Sequence, residues 1–463
     1  MKNKKINIKA RLIAGVCIII LAIVAWILTL RLEGEKPCIK IESILSSTSA
    51  YRQINVKVSD NKSGLRKIWA GLIKDGKDVV LFEKDFPAKS FIAGGEINDE
   101  ILNIKIDPKK IGIKDGKALF RITASDYSWR KWFQGNRTYM EKEIVIDTSP
   151  PVIDILSRTH NITQGGAGLV VYSISEPCPV SGINIGGKLF PGHSGYFSDD
   201  SIHIAFIALE YGKGSGTKMY ATATDLAGNS SKAGFPYYIK AKKFQQDTIN
   251  ISDRFLNWKL PEFESDIKPG ANNSMLEKFL AVNRKLRNMN FKSIQEMVKK
   301  SDNQMYWKGQ FSRLPRSATR AGFADHRSYK YNGHVIDQQV HMGIDLASVA
   351  HSPVPAANRG KVAFAGCLGI YGKTLLIDHG FGLFSMYSHL SRIEVEKGRM
   401  VSKGTIMGRT GRTGLAGGDH LHFSILVNST FVNPIEWWDA AWIKNNISSK
   451  LNSVQTEKNL GSF

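Results

Sequence analysis

Nineteen consecutive residues, Leu12 to Leu30, carry no charge and are almost all apolar. At about 1.5 Å of rise per residue, a helix of that length crosses the hydrocarbon core of a bilayer. Lys2, Lys4, Lys5, Lys9 and Arg11 precede the run, and Arg31, Glu33 and Glu35 follow it. A basic flank ahead of an apolar segment stays on the cytoplasmic side, so everything after about residue 32 is expected outside the cytoplasm. Leu28-Thr29-Leu30 and Arg31-Leu32 give no small-x-small cleavage site, and Cys17 has too short an apolar run before it for lipid modification. The expectation is an uncleaved single-pass anchor, residues 1–32, in the cell membrane.

That topology decides how the charge is read. Lys and Arg number 63 against 41 Asp and Glu, a formal charge of +22. Such an excess suits a polyanionic neighbour. Outside the cytoplasm nucleic acid is excluded, and anionic wall polymer or lipid headgroups remain; protein partners are not indicated. Cys17, Cys38, Cys178 and Cys367 are widely spaced with no CxxC. They are expected unpaired, which excludes a cysteine zinc knuckle and a dithiol redox pair.

From 38 to 245 short alternating segments are broken by Gly, Asp, Asn and Pro, as in Ile54-Asn55-Val56-Lys57-Val58. Period-two alternation reads as antiparallel strands with one buried face. Thr123-Ala124-Ser125-Asp126 recurs as Thr222-Ala223-Thr224-Asp225, an offset of 99 residues, with a stiff junction at Pro150-Pro151. A strand-only repeat of that size fits two immunoglobulin-like β-sandwiches, 38–149 and 150–245. The Asp-Leu-Ala-Gly-Asn run at 225–229 resembles a turn of bacterial immunoglobulin-like domains. Residues 246–319 read as a linker, with Pro261, Pro269 and Gly270, followed by a helical segment. Ser274 and Glu277 stand at capping-box spacing, and a second helix is expected to start at Ser293.

Eight of the 11 histidines fall between 326 and 422. In Asp419-His420-Leu421-His422-Phe423-Ser424-Ile425 the alternation predicts a strand. His420 and His422 then share one face, while Leu421, Phe423 and Ile425 anchor the other. His341-Met342-Gly343-Ile344-Asp345 supplies a second His and a carboxylate, and Gly343 with Asp345-Leu346-Ala347 marks the stretch as a short extended segment. One imidazole of the HxH pair added to that His and Asp makes three protein ligands and leaves a fourth position for water, the pattern of catalytic rather than structural zinc. His389, in Tyr387-Ser388-His389-Leu390-Ser391, is free to approach from another strand as an acid or base.

With His341-x-x-x-Asp345, Ile377-Asp378-His379-Gly380, Tyr387-x-His389-Leu390-Ser391, Lys403-Gly404-x-x-x-Gly408 and His420-x-His422-Phe423 in order, residues 320–440 resemble the lysostaphin/LytM-type zinc endopeptidases that cut peptidoglycan cross-links. The resemblance implies one Zn²⁺ held by His341, Asp345 and His422, with His389 and His420 as the catalytic pair. His420 is expected to orient or deprotonate the water and His389 to serve the oxyanion or the leaving amine, and the sequence leaves open which of the two is the base. Ser424 departs from the Glu that many members carry there; all five key positions are present. The fold class expected is all-β dominated: an N-terminal transmembrane helix, two immunoglobulin-like β-sandwich domains, a short helical segment, a lysostaphin-type antiparallel β-barrel-like peptidase domain, and a tail, 441–463. The function expected is hydrolysis of peptidoglycan stem or cross-bridge peptides. A non-catalytic envelope factor that binds peptidoglycan and activates a separate hydrolase is the alternative.

Overall fold

The computed structural model describes residues 8–41, 47–48, 52–108, 110–266 and 274–460. Lys2, Lys4, Lys5, Pro269 and Gly270, and the last residues of the tail, lie outside them. The apolar run forms one helix, Ile8–Arg31, and it is the one helix among the described residues that is long and apolar enough to cross a membrane. The remaining fold is mostly strands, in two compact units: residues 1–150 with 224–229, and residues 151–223 with 230–463.

In the first unit the alternation produces two sheets. One orders Cys38–Ile41, Arg52–Ser59 and Asp99–Ile106. The other has Gly116–Asp126 between Arg137–Ile146 and Leu65–Lys74, with Lys77–Asp85 beyond. Every second residue of Gly116–Asp126 from Ala118 onward is buried. Ile54, Val56 and Val58 from the first sheet and Ile68, Phe120 and Ile122 from the second enter one core.

The second unit is organised by a sheet whose path runs Ala318–Ala321, Ile344–Ala347, Leu421–Val427, Leu383–Leu390, Lys373–Gly380, Gly360–Cys367 and Met400–Val401. Its pairs are antiparallel. Lys373–Gly380, Leu383–Leu390 and Leu421–Val427 are buried almost throughout, because other elements cover both faces. One hydrophobic core runs from Ile153 to Val454 and takes in strands before residue 245 as well as the sheet. Phe206, Trp307 and Trp437 meet within it, at centroid separations of 5.6 to 6.4 Å.

Several local expectations resolve differently. Residues 246–251, read as linker, form a strand parallel to His326–Tyr331, which also pairs with His334–Val340. The Ser274 capping box is present. The helix it starts does not restart at Ser293. It runs from Met275 to Met297 through a π-turn at Ala281–Leu286, and Ser293 Oγ bonds back to Met289 O. An Ser-x-x-Glu pattern inside a helix is indistinguishable by spacing from one that begins it. The tail is helical from Ser449 to Leu460, and Lys450 Nζ donates to Leu169 O at 2.8 Å. None of the four cysteines forms a disulfide.

Candidate metal centre

Two adjacent strands bring the first three residues together. Asp345 lies on Ile344–Ala347 and pairs in register with His422 on Leu421–Val427. His341 precedes the first strand by a tight turn at Gly343. A Cβ at Gly343 would lie 2.5 Å from His422 Nε2 and 2.6 Å from Ser424 Oγ, so only glycine lets the His422 ring sit there. His341 Nε2, His422 Nδ1 and Asp345 Oδ1 lie 2.9 Å from one another. All three residues are buried.

The backs of the rings determine what the facing atoms are. His341 Nδ1 donates to Gly322 O at 2.8 Å. His422 Nε2 lies 3.1 Å from Ser424 Oγ, whose own hydrogen goes to Met342 O at 2.8 Å. With each ring N–H used behind, the two facing nitrogens carry lone pairs beside a carboxylate oxygen. Lone-pair donors this close repel one another unless a cation lies among them. Two imidazole nitrogens and a carboxylate oxygen are a donor set suited to Zn²⁺, so the residues present fit that ion. Ser424, the departure from the Glu that many members carry, orients the His422 ring.

Arg327, which the sequence did not single out, grips the other carboxylate oxygen: its Nη2 lies 2.9 Å from Asp345 Oδ2. Asp345 thus turns one oxygen to the histidines and the other to a cation. Burial alone would raise its pKa. Protons on the facing rings serve the same end as a cation: with His341 charged and with His341, His420 and His422 donating, its pKa is held well below the usual range.

His389 reaches the same cleft by a bulge. Leu390 pairs with Lys373 and Tyr387 with Leu375, so Ser388 and His389 face the single residue Thr374. His389 takes a left-handed φ of +61°, a strained choice for a non-glycine residue. Its Nδ1 donates to Thr413 O at 2.9 Å. Burial, then the nearby His420 and His422, push its pKa well below the ordinary value. His420 sits at an isolated bridge to Gly411, just before the strand, with Nδ1 donating to Gly418 O and Nε2 3.5 Å from Asp345 Oδ1. Burial lowers its pKa, but the hydrogen bond and charge of Asp345 outweigh that and raise it. The His389 and His420 rings are 4.8 Å apart.

Residues 339–434 match peptidase family M23. This segment is a family M23 peptidase domain. The chain is 37% identical over 97 residues to the DD-carboxypeptidase/endopeptidase Mpg of Neisseria meningitidis, covering 21% of this chain and 22% of that protein. It is 33% identical over 116 residues to the peptidoglycan DD-endopeptidase ShyB of Vibrio cholerae, covering 25% and 26%. The chain thus spans about a quarter of the length of these curated relatives. Among solved structures, the catalytic domain of lysostaphin from Staphylococcus simulans is 28% identical, with 28% of this chain and 98% of that one covered and a TM-score of 0.24.

The M23 domain does not build its cleft alone. A cavity of about 470 Å³ contains His341, Asp345, His389, His420 and His422. Ile249, Phe255, Phe279 and Arg287, all from residues before the domain, also line it. The alternation of 246–251 was the available signal for that wall.

Proposed function

We propose that this chain is a membrane-anchored, zinc-dependent endopeptidase acting on peptidoglycan stem or cross-bridge peptides. The observation that carries the reading is the triangle of lone-pair atoms from His341, Asp345 and His422, with two further histidines in the same cleft. The names of the relatives support the substrate. The helix Ile8–Arg31 and its basic flank support a single-pass anchor, with the N-terminus cytoplasmic and the rest outside. The β-rich residues 38–245, which we read as two immunoglobulin-like domains, separate anchor and hydrolase along the chain.

His341, Asp345 and His422 would hold the ion. When bound, zinc supplies a Lewis acid that lowers the pKa of a water to about 7. The chain's own residues manage the protons. No HExxH glutamate exists, so imidazoles must do this work. His389 and His420 each spend Nδ1–H on a backbone carbonyl, so each offers Nε2 to the cleft. His389 is buried and held neutral, which suits taking a proton from water at Nε2. His420 lies beside the Asp345 carboxylate, which suits donating a proton at Nε2 to the oxyanion or the leaving amine. This reverses the assignment expected from the sequence, because carbonyl partners and neighbouring charge are invisible there.

The test is metal content against hydrolysis. The purified chain is expected to carry one zinc and release peptides from murein. His422→Ala should lose both, and His389→Ala should keep the metal and lose hydrolysis. Release of peptides by a metal-free His422→Ala chain contradicts the proposal. Full metal content without any release favours the non-catalytic envelope factor.

A further inference from the structure

We propose that the turn Tyr127–Gln134 of the first unit is a docking surface for an anionic lipid bilayer, seated in the headgroup layer beside the anchor helix. The proposal rests on reading Ile8–Arg31 as that anchor.

The helix does not run into a free tether. Trp129 N donates to Arg31 O at 2.7 Å, Ser128 Oγ donates to Glu33 O at 3.0 Å, and Arg130 Nε donates to Leu32 O at 2.8 Å. Arg31 folds back into the unit: it is 4% exposed, bonds Tyr127 O, and lies 5.6 Å over the Trp129 ring. Gly94, at φ +83°, makes room for it, since a Cβ there would collide with the guanidinium. These bonds fix the turn at the depth where the helix leaves the hydrocarbon. The headgroup layer on each side is only about 5–7 Å thick, so a turn bonded to the last helical residue stands within it.

What the turn displays suits that layer. Trp132 is 92% exposed and Phe133 52%. Phe91, 68% exposed, joins them, with its ring 5.0 Å from Trp129 and 5.7 Å from Phe133. Arg130 and Lys131 are exposed on the same turn, and residues 127–134 and 88–93 contain Lys89 but no acid. Aromatic rings with basic neighbours are the composition of a membrane interface. Lys131, Trp132 and Phe133 take φ of +52°, +56° and +66°, three successive left-handed residues without a glycine. Arg66 Nη1 braces them by donating to Phe133 O at 2.8 Å. Holding a tryptophan outward in so costly a conformation gains nothing in water, and the ring recovers it by entering the interface.

The surface can be tested on the full chain in nanodiscs of phosphatidylethanolamine and phosphatidylglycerol, with the native cysteines replaced by serine. Nitroxide labels go on Trp132→Cys, on Ile19→Cys within the helix, and on Lys77→Cys at the hairpin about 30 Å along the strand Leu65–Lys74. Collision with a water-soluble nickel chelate is then measured. The label at 132 is expected to be shielded several-fold relative to 77, and less so in discs of phosphatidylcholine alone. Equal access at 132 and 77, with 19 shielded, overturns the docking surface and leaves the anchor standing. Free access at 19 overturns both. Shielding at 132 that does not change in phosphatidylcholine overturns the anionic preference.

Discussion

Arg327 and Ser424 stand outside the trio of His341, Asp345 and His422, yet Arg327 holds Asp345 and Ser424 holds His422 from behind. Outer partners of metal ligands typically contribute 10- to 100-fold in metal affinity or activity. Arg327→Gln, which removes the charge opposite Asp345 Oδ2, is therefore expected to weaken zinc retention about 10- to 100-fold, measured by competition with a chromogenic chelator. Ser424→Ala should act in the same direction, since it strips His422 Nε2 of its partner and leaves Met342 O without its donor. Unchanged retention in both variants would mean that the ligand atoms hold their positions unaided. The grouping of His341, Asp345 and His422 was legible because His422 is set by strand alternation and the other two by a four-residue interval. Arg327 was not, because its partner lies across a hairpin whose register shifts between Tyr329 and Lys330. No spacing rule predicts that pairing.

The helix Asp253–Lys259 and the turn after it act on the site from outside the M23 domain. Lys259 is fully buried, and its Nζ bonds both Glu262 and Arg412 O. Glu262 in turn accepts from Gly414 N at 2.9 Å. Together they clamp the loop whose Thr413 O orients His389. Lys259→Met keeps the stem and removes the clamp. It should lower kcat about 10- to 100-fold with little change in KM or metal content; a change confined to KM would show the loop to be a binding element instead. Glu436, on the helix Pro434–Trp438, accepts from Ala167 N, and burial raises its pKa from 4.5 to about 7. The folded protein therefore binds this proton more readily than the unfolded chain. The stability it contributes is complete below about pH 4.5 and is lost as pH rises through 7, about 3 kcal/mol in all. Glu436→Gln should flatten thermal stability between pH 5 and pH 8, as followed by circular dichroism. An undiminished fall would assign the effect to other groups. These elements were only partly readable. The helix Asp253–Lys259 falls in the stretch that reads as linker, and its cap at Ser252 has Phe255 three residues on where a capping box needs an acid or amide.

Across the whole molecule, period-two patterning showed which segments are strands, because a half-buried strand must alternate. It could not show what those strands pack against. The continuous core from Ile153 to Val454 is made by residues that look alike in sequence whether they face a neighbour in their own repeat or in the M23 domain. Residues 151–463 are accordingly expected to fold and unfold in one transition, while residues 320–440 alone, stripped of Phe206 and the helices before them, should aggregate; a soluble, cooperatively folding 320–440 would show that the shared core is dispensable. The central claim concerns chemistry at three ligands. Its most direct test is mass spectrometry of peptides released from purified murein by the full chain, before chelation, after it, and after zinc is restored. The account predicts fragments ending at one type of peptide bond, lost on chelation and recovered with zinc. The same fragments appearing at an undiminished rate in the chelated sample would contradict it.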